Sequence, residues 1–271
     1  MRRTISAAGA TVAIVLCGLA SALDPVASQG IPQYGRSPAA AEVDTALVVS
    51  VDVSNSVDEH RYKLQMEGIA AALEDTSVQD VILSGPRGGI LFTMVSWADR
   101  PQVSVPWIRI RSRADAIAAA EKVRQVPRHG GEFTCMSRMM RFLSDKVVTQ
   151  VPVKAARLVI DVSGDGSDNC NPEEPVKAVR DELVESSAIV NGLPILEGRE
   201  AATLGPWFRD NVMGGPGAFV LAAEGYGDFG RAIKQKFVLE ISGGMPPAER
   251  PPLLPPAPRL AEAHEQPSPP R

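Results

Sequence analysis

Three oxygen-bearing side chains follow one short apolar segment of the chain. Residues 46–51 are apolar or β-branched apart from one serine, and the segment ends at Asp52, with Ser54 and Ser56 just beyond it. Its length and composition predict a fully buried strand. Because alternate residues of an extended chain point the same way, these side chains could converge at the strand's carboxyl end, where open α/β sheets place their ligand sites.

One carboxylate and two hydroxyls form an oxygen-only ligand set, which suits Mg²⁺ or Mn²⁺ better than Zn²⁺. A second interpretation is a helix start, with Ser56 as the cap of the next helix and Glu59 reaching back to it in a capping box. The two interpretations are compatible for Ser56. Capping leaves Asp52 and Ser54 unexplained, because a carboxylate at the end of a buried strand needs a partner.

The remaining pattern alternates strands with helices, which predicts a Rossmann-like α/β fold: a mostly parallel sheet with helices on both faces and one antiparallel edge strand. Strands are predicted at 45–53, 90–97, 102–110, 157–163, 188–196 and 218–223, with 102–110 as the antiparallel edge. Helices are predicted at 57–75, after Ser112, after Cys135, at 172–187 and at 228–240.

Loops that follow parallel strands gather at one edge of such a sheet, so three loops are expected to meet there. They span 52–56, 130–135 and 163–169, and they supply Asp52, Ser54, Ser56, Thr134 and Asp165. Asp161 precedes the end of its strand and is interpreted as structural, whereas Glu132 and Asp168 are expected at the rim.

Together these residues resemble the metal-ion-dependent adhesion site of von Willebrand factor type A (vWA) domains, over about residues 44–241. The resemblance implies that Asp52, Ser54, Ser56, Thr134 and Asp165 hold a divalent cation (Mg²⁺, or Mn²⁺ or Ca²⁺), directly or through water. It also implies that an Asp or Glu carboxylate from a partner protein completes the metal shell. The sequence departs from the family at Gly164, where a threonine usually precedes the later aspartate.

The chain also resembles a family of bacterial exported proteins that share this core and have no assigned function. Segments 159–166, 191–195 and 214–219 carry that resemblance. Export fits the amino terminus, where Arg2 and Arg3 precede a short apolar stretch and a small-x-small site at 20–22, as in a secretory signal peptide.

We therefore predict a signal peptide at 1–22, a linker at 23–43, the vWA-like domain at 44–241 and a Pro-rich disordered tail at 242–271. The protein is expected to be periplasmic or secreted. No other stretch is long and apolar enough to span a bilayer. The formal net charge of −4 becomes more negative once Arg2 and Arg3 are removed, which argues against nucleic acid as a partner.

The number of cysteines in the mature chain is consistent with export. Loss of Cys17 with the signal leaves Cys135 and Cys170, which are either a disulfide or two separate thiols.

Two rival functions remain on the sequence. An oxygen-ligated Mg²⁺ could support hydrolysis of a phosphorylated substrate, with His129 as the proton carrier. Residues 225–230 fit G-x-G-x-x-G, but no later strand with an acidic residue follows them, so a dinucleotide site is not expected. The sequence favours an exported, metal-dependent protein-binding module without catalytic activity of its own.

Overall fold

The computed structural model describes residues 42–170 and 173–244. A five-stranded sheet forms the centre of this part of the chain, in the order β3-β2-β1-β4-β5. Its strands are β1 (Val43–Asp52), β2 (Ile90–Trp97), β3 (Gln102–Ile110), β4 (Ala155–Gly164) and β5 (Ala188–Pro194). The β2–β3 pair is antiparallel and the other pairs are parallel, which confirms the predicted fold class.

β1 is the central strand, and every one of its residues is buried. It pairs with β2 on one side and β4 on the other, so neither backbone edge is free. Its side chains alternate between two cores: Leu47, Val49 and Val51 face one, and Val48 faces the other. A strand covered on both faces needs a near-continuous apolar sequence, which explains the composition of this segment.

Seven α-helices cover the two faces of the sheet in the described residues. They are α1 (Glu59–Glu74), α2 (Thr76–Ser84), α3 (Arg113–Arg124), α4 (Met136–Phe142), α5 (Val176–Glu185), α6 (Ala201–Asn211) and α7 (Phe229–Ser242). Apolar residues of α1, α2, α3 and α7 form one core with the sheet, and those of α4, α5 and α6 form the other.

The capping interpretation of Ser56 is wrong. α1 is capped by Asp58, whose side chain accepts a hydrogen bond from the backbone N–H of Arg61. The predicted helix 57–75 corresponds to α1, which ends at Asp75, whereas α2, which Asp75 caps, was not predicted. The hydroxyl of Ser56 therefore does not cap α1.

The predicted strand 218–223 does not form as a strand. Two of its residues make isolated parallel bridges, Val220 to Gly192 of β5 and Ala223 to Ile195 just after β5. Between them, Pro194 accepts a hydrogen bond from the N–H of Ala223 but has no N–H to donate in return. The missing donor interrupts the ladder at this edge of the sheet.

Helix α6 was not predicted. It lies in the chain between the end of β5 and the segment 218–223. β1 begins at Val43, the last residue of the predicted linker. The predicted signal peptide, the linker up to residue 41 and the tail from residue 245 lie outside the described residues. No helix among the described residues is long and apolar enough to cross a membrane.

Candidate metal centre

Asp52 ends β1 and is fully buried. Its Oδ1 accepts a hydrogen bond of 2.7 Å from the backbone N–H of Ser54. Its Oδ2 has no hydrogen-bond partner within the described part of the chain. Burial, followed by the charge of Asp165, raises the pKa of Asp52 to about 7. A buried carboxylate oxygen without a partner is costly, and a bound cation is one way to satisfy it.

Four further oxygen-bearing side chains lie at the same edge and contact one another in a row. The hydroxyl of Thr134 is 3.3 Å from that of Ser54, which is 3.2 Å from the hydroxyl of Ser56. Ser56 donates a hydrogen bond of 2.7 Å to Oδ1 of Asp165. Ser54 and Thr134 are buried, whereas Ser56 is exposed and Asp165 half-buried. The row therefore runs from the interior to the solvent.

The structure thus brings together the three loops that the sequence predicts to meet. Each loop follows a strand or precedes a helix at one sheet edge: Ser54 and Ser56 follow β1, Thr134 precedes α4 and Asp165 follows β4. Two carboxylates and three hydroxyls are oxygen donors of the kind that hard cations prefer. No cluster of three or more His, Cys, Asp or Glu side chains suited to a metal occurs in the described residues, so this mixed carboxylate and hydroxyl set is the candidate centre.

Gly164 leaves Oδ2 of Asp52 uncrowded. A Cβ at this position would lie 3.1 Å from Oδ2 of Asp52 and 3.5 Å from the Trp97 ring. A side chain here would crowd the one carboxylate oxygen that lacks a partner. The glycine that departs from the vWA pattern therefore leaves room for a ligand at Asp52, and the donor set fits a cation.

The loops of Thr134 and Asp165 are joined residue by residue. The N–H of Thr134 donates to Oδ1 of Asn169 at 2.9 Å, and the N–H of Asn169 donates back to the carbonyl of Thr134 at 3.1 Å. Cys135 and Cys170 form a disulfide with their Cα atoms 4.9 Å apart. Asp168, expected at the rim, accepts from the N–H of Ser137 at the start of α4. The two loops are consequently one rigid support for Thr134.

We expect replacement of both cysteines by serine to destabilise the chain by about 2–4 kcal/mol, since the bridge closes a loop with a sequence separation of 35. Urea unfolding of the Cys135→Ser, Cys170→Ser variant measures the loss. The matched control is the unmodified chain with and without a reductant, which should show the same difference. An unchanged unfolding midpoint would contradict a supporting role for the bridge.

Three residues that sequence reasoning missed complete the wall behind Ser56. Arg61 of α1 donates one hydrogen bond to the carbonyl of Ser56 and another, 2.7 Å long, to Oε1 of Glu197. Oε2 of Glu197 accepts from the N–H of Tyr226 at 3.0 Å, and the Arg61 guanidinium lies 5.2 Å from the Tyr226 ring centroid. Burial, and then the charges of Asp165 and Asp52, raises the pKa of the Tyr226 phenol. Tyr226 thus stays neutral beside the two carboxylates.

These three residues belong to α1, the segment after β5 and the turn before α7, so no local spacing links them. The only sequence signal was the glycine-rich segment 225–230. Gly225 has φ 91°, which a glycine adopts without strain, and it opens a short 3₁₀ turn at Tyr226–Asp228. These glycines shape a turn in which Tyr226 reaches the candidate centre.

The other titratable residues weighed from the sequence lie apart from the row of hydroxyls. Asp161 is a buried residue of β4 with Oδ1 3.4 Å from Nζ of Lys236. Glu132 and His129 are exposed, and Nδ1 of His129 is 3.1 Å from the carbonyl of Pro127.

We expect cation binding to weaken below neutral pH. The folded-state pKa of Asp52, about 7, is above the usual 3.8, so a cation must displace a proton below that value. One competing proton lowers the apparent affinity for Mg²⁺ roughly tenfold at pH 6 relative to pH 8. In the metal-free chain the same shift lowers stability as pH rises from about 4 to about 7, because the folded state holds more protons there. Calorimetric titration at both pH values measures the first effect, and equal affinities would contradict it.

One known protein family matches most of this chain. A family model described as "Protein of unknown function (DUF1194)" matches residues 42–245. The chain belongs to this family. The match covers all five strands and all seven helices together with the candidate centre. No curated protein matches the chain in sequence.

Solved structures of vWA proteins share the fold. Proximal thread matrix protein 1 from the mussel byssus aligns with TM-score 0.57 and 10% identity, over 74% of this chain and 49% of that one. A vWA protein from Catenulispora acidiphila aligns with TM-score 0.52 and 16% identity, over 73% and 43%. The pilus adhesin SpaC from Lactobacillus rhamnosus GG aligns with TM-score 0.52 and 14% identity, over 74% and 31%.

This member of the family therefore has a vWA-like fold and spans less than half the length of those proteins. A further structure of the mussel protein, with TM-score 0.54 and 15% identity over 73% of this chain and 46% of that one, has a zinc-occupied MIDAS motif. At these identities the likeness establishes the fold.

Proposed function

We propose that this chain is an exported protein-binding module that holds a divalent cation at Asp52, Ser54, Ser56, Thr134 and Asp165. The single observation that carries the proposal is Asp52, a fully buried carboxylate whose Oδ2 has no partner among the described residues and lies beside a row of hydroxyls. A cation bound there would satisfy that oxygen. The cation would be Mg²⁺, with Mn²⁺ or Ca²⁺ as the alternatives.

The charge of the centre favours binding over catalysis. Two carboxylates and three neutral hydroxyls contribute at most two negative charges, and Ser56 and Asp165 lie on the solvent side. Mg²⁺ keeps several waters when few charged ligands are present, so positions toward the solvent would stay exchangeable. An Asp or Glu carboxylate from a protein partner is the ligand that complements such an ion.

A magnesium-dependent hydrolase for a phosphorylated substrate is the alternative. It would need a group that carries a proton at the centre. His129 is exposed and bonded through Nδ1 to its own loop, and Tyr226 is kept neutral by its raised pKa, so neither residue favours this reaction. The turnover of p-nitrophenyl phosphate in the presence of Mg²⁺ tests it directly, and we expect none above the rate of a chain with Asp52 replaced by Asn.

Binding of a simple carboxylate tests the proposal. We expect a fluorescent Asp-containing hexapeptide to bind the Mg²⁺-loaded chain weakly and to dissociate when EDTA is added. A matched peptide with Asn in place of Asp should not bind. Binding of both peptides, or binding that survives EDTA, would overturn the metal-bridged mechanism.

A periplasmic or extracellular location is part of the proposal. The Cys135–Cys170 disulfide supports it, because disulfides persist in oxidising compartments. We expect the chain, expressed with its own amino terminus in a Gram-negative host, to be released by osmotic shock and to lack residues 1–22. Retention of the intact amino terminus in the cytoplasm would contradict this location.

A further inference from the structure

An open cleft of about 700 Å³ adjoins the candidate metal centre. The β2–β3 turn forms one wall and the loop before Thr134 forms the other, with Arg138 of α4 beside them. Phe133, on that loop, immediately precedes Thr134, and Cys170 lies at the wall next to the other half of the disulfide. A chain segment bound at the metal could therefore continue into the cleft.

The cleft carries a net positive charge, because two arginines and one acid line it. Arg100 and Arg138 are exposed, and neither forms an ion pair with a carboxylate in the described part of the chain. Arg138 donates one hydrogen bond of 2.8 Å, to the backbone carbonyl of Asp99. Other arginines are used differently: Arg124 pairs with three glutamates and Arg141 with two.

The nearby acid does not neutralise this pair by contact. Both carboxylate oxygens of Asp99 accept backbone hydrogen bonds, at 3.0 Å from Glu132 and 2.8 Å from Phe133. These bonds, and then the charges of Arg138 and Arg100, lower the pKa of Asp99, so Asp99 stays ionised and offsets one of the two arginine charges. The two arginine heads are left facing the solvent on a protein of net negative charge, a contrast that steers anionic partners to this spot.

An apolar contact lies at the same rim. Phe133 is 47% exposed, one of three large hydrophobic side chains exposed in the described residues. Aromatic and arginine side chains together are characteristic of the centres of protein interfaces. The loop that carries this exposed ring is held by the backbone hydrogen bonds from Glu132 and Phe133 to Asp99.

We propose that this cleft and the metal centre together form the surface that binds the partner protein. The cleft determines which partner binds, and it takes an acidic segment of that partner. One acid of that segment binds the cation, a second acid pairs with Arg100 and Arg138, and an apolar side chain packs on Phe133. The inference rests on the proposed function, because the first acid requires the metal. It adds the chemistry that selects one carboxylate-bearing partner from the many that the metal alone would accept.

A library of random dodecapeptides displayed on phage and selected against the full chain in Mg²⁺ tests this inference. We expect the selected peptides to contain two acidic residues a few positions apart and a neighbouring apolar residue. The charge-reversed variant Arg100→Glu, Arg138→Glu should bind those peptides roughly tenfold more weakly. Selection against that variant should keep one acid and replace the second with Lys or Arg.

A matched variant, Arg111→Glu, Arg209→Glu, makes the same charge change at two exposed arginines outside the cleft. It should bind the original peptides with unchanged affinity, and both variants should bind Mg²⁺ as the parent does. Peptides that carry a single acid and bind the charge-reversed variant equally well would overturn the cleft while leaving the metal-dependent function intact. Absence of any Mg²⁺-dependent peptide would overturn the proposed function and this inference with it. Peptide binding that persists in EDTA and is displaced by any polyanion would identify the arginines as a general anion site. That result would overturn the inference.

Discussion

Replacement of Asp52 by Asn should abolish cation binding and, at the same time, raise the thermal stability of the metal-free chain. Asn keeps the shape and the acceptor that Ser54 N–H uses at 2.7 Å. It removes a negative charge that is fully buried and lies near Asp165. The loss of a direct ligand should weaken Mg²⁺ binding on the order of 100-fold or more. The gain in stability follows because a buried charge without a partner opposes folding.

Thermal unfolding at pH 8, with EDTA and with excess Mg²⁺, measures both effects. The parent should be stabilised by Mg²⁺, whereas Asp52→Asn should unfold at one temperature in both solutions, above that of the metal-free parent. Glu132→Gln is the matched control, since it removes one exposed acid from a neighbouring loop. It should keep the full response to Mg²⁺. A metal-free Asp52→Asn chain that is less stable than the parent would show that Asp52 serves the fold and not a ligand.

Replacement of Lys236 by Met should destabilise the chain by about 3–5 kcal/mol. Lys236 is fully buried on α7, with Nζ 3.0 Å from Oε1 of Glu240 and 3.4 Å from Oδ1 of Asp161. Nζ also donates to the carbonyl of Gly192 at 3.3 Å and lies 4.4 Å from the centroid of the Phe219 ring. Removal of this cation leaves two acids buried without a counter-charge.

Burial, and then the charge of Glu240, already raises the pKa of Asp161, which shows how strongly this cluster opposes a second negative charge. Lys234→Met is the matched control on the same helix, because Lys234 is 47% exposed and pairs with Asp75 at 3.4 Å. That change should cost less than about 1 kcal/mol. Addition of Asp161→Asn and Glu240→Gln to Lys236→Met should recover much of the loss. Equal urea midpoints for the Lys236 and Lys234 variants would contradict the account of this cluster.

The candidate centre could be assembled from sequence because its parts are local. Each of Asp52, Thr134 and Asp165 lies beside a strongly patterned element, and the parallel sheet forces the three loops to one edge. The interpretation of Asp161 as structural also followed from its place inside a strand. Lys236 and Glu240, which surround it, sit on a helix far along the chain, and nothing in their spacing indicates that they turn inward.

Other features depend on packing that no local pattern records. The sequence of α6 contains Gly205 and Pro206, which have low helix propensity, yet Leu204 and Phe208 bury completely against the sheet. The helix forms because tertiary burial outweighs propensity. The segment 218–223 shows the reverse: its apolar pattern fits a strand, and one missing N–H at Pro194 prevents a continuous ladder.

Equilibrium titration of Mg²⁺ and Mn²⁺ into the metal-stripped chain, beside an Asp52→Ala, Ser54→Ala variant and the Glu132→Gln control, tests the central claim most directly. We expect one cation per chain for the parent and the control, and none for the double variant. A well-folded parent that binds no cation at pH 8 would contradict it, since the unpartnered oxygen of Asp52 would then be a feature of the fold alone.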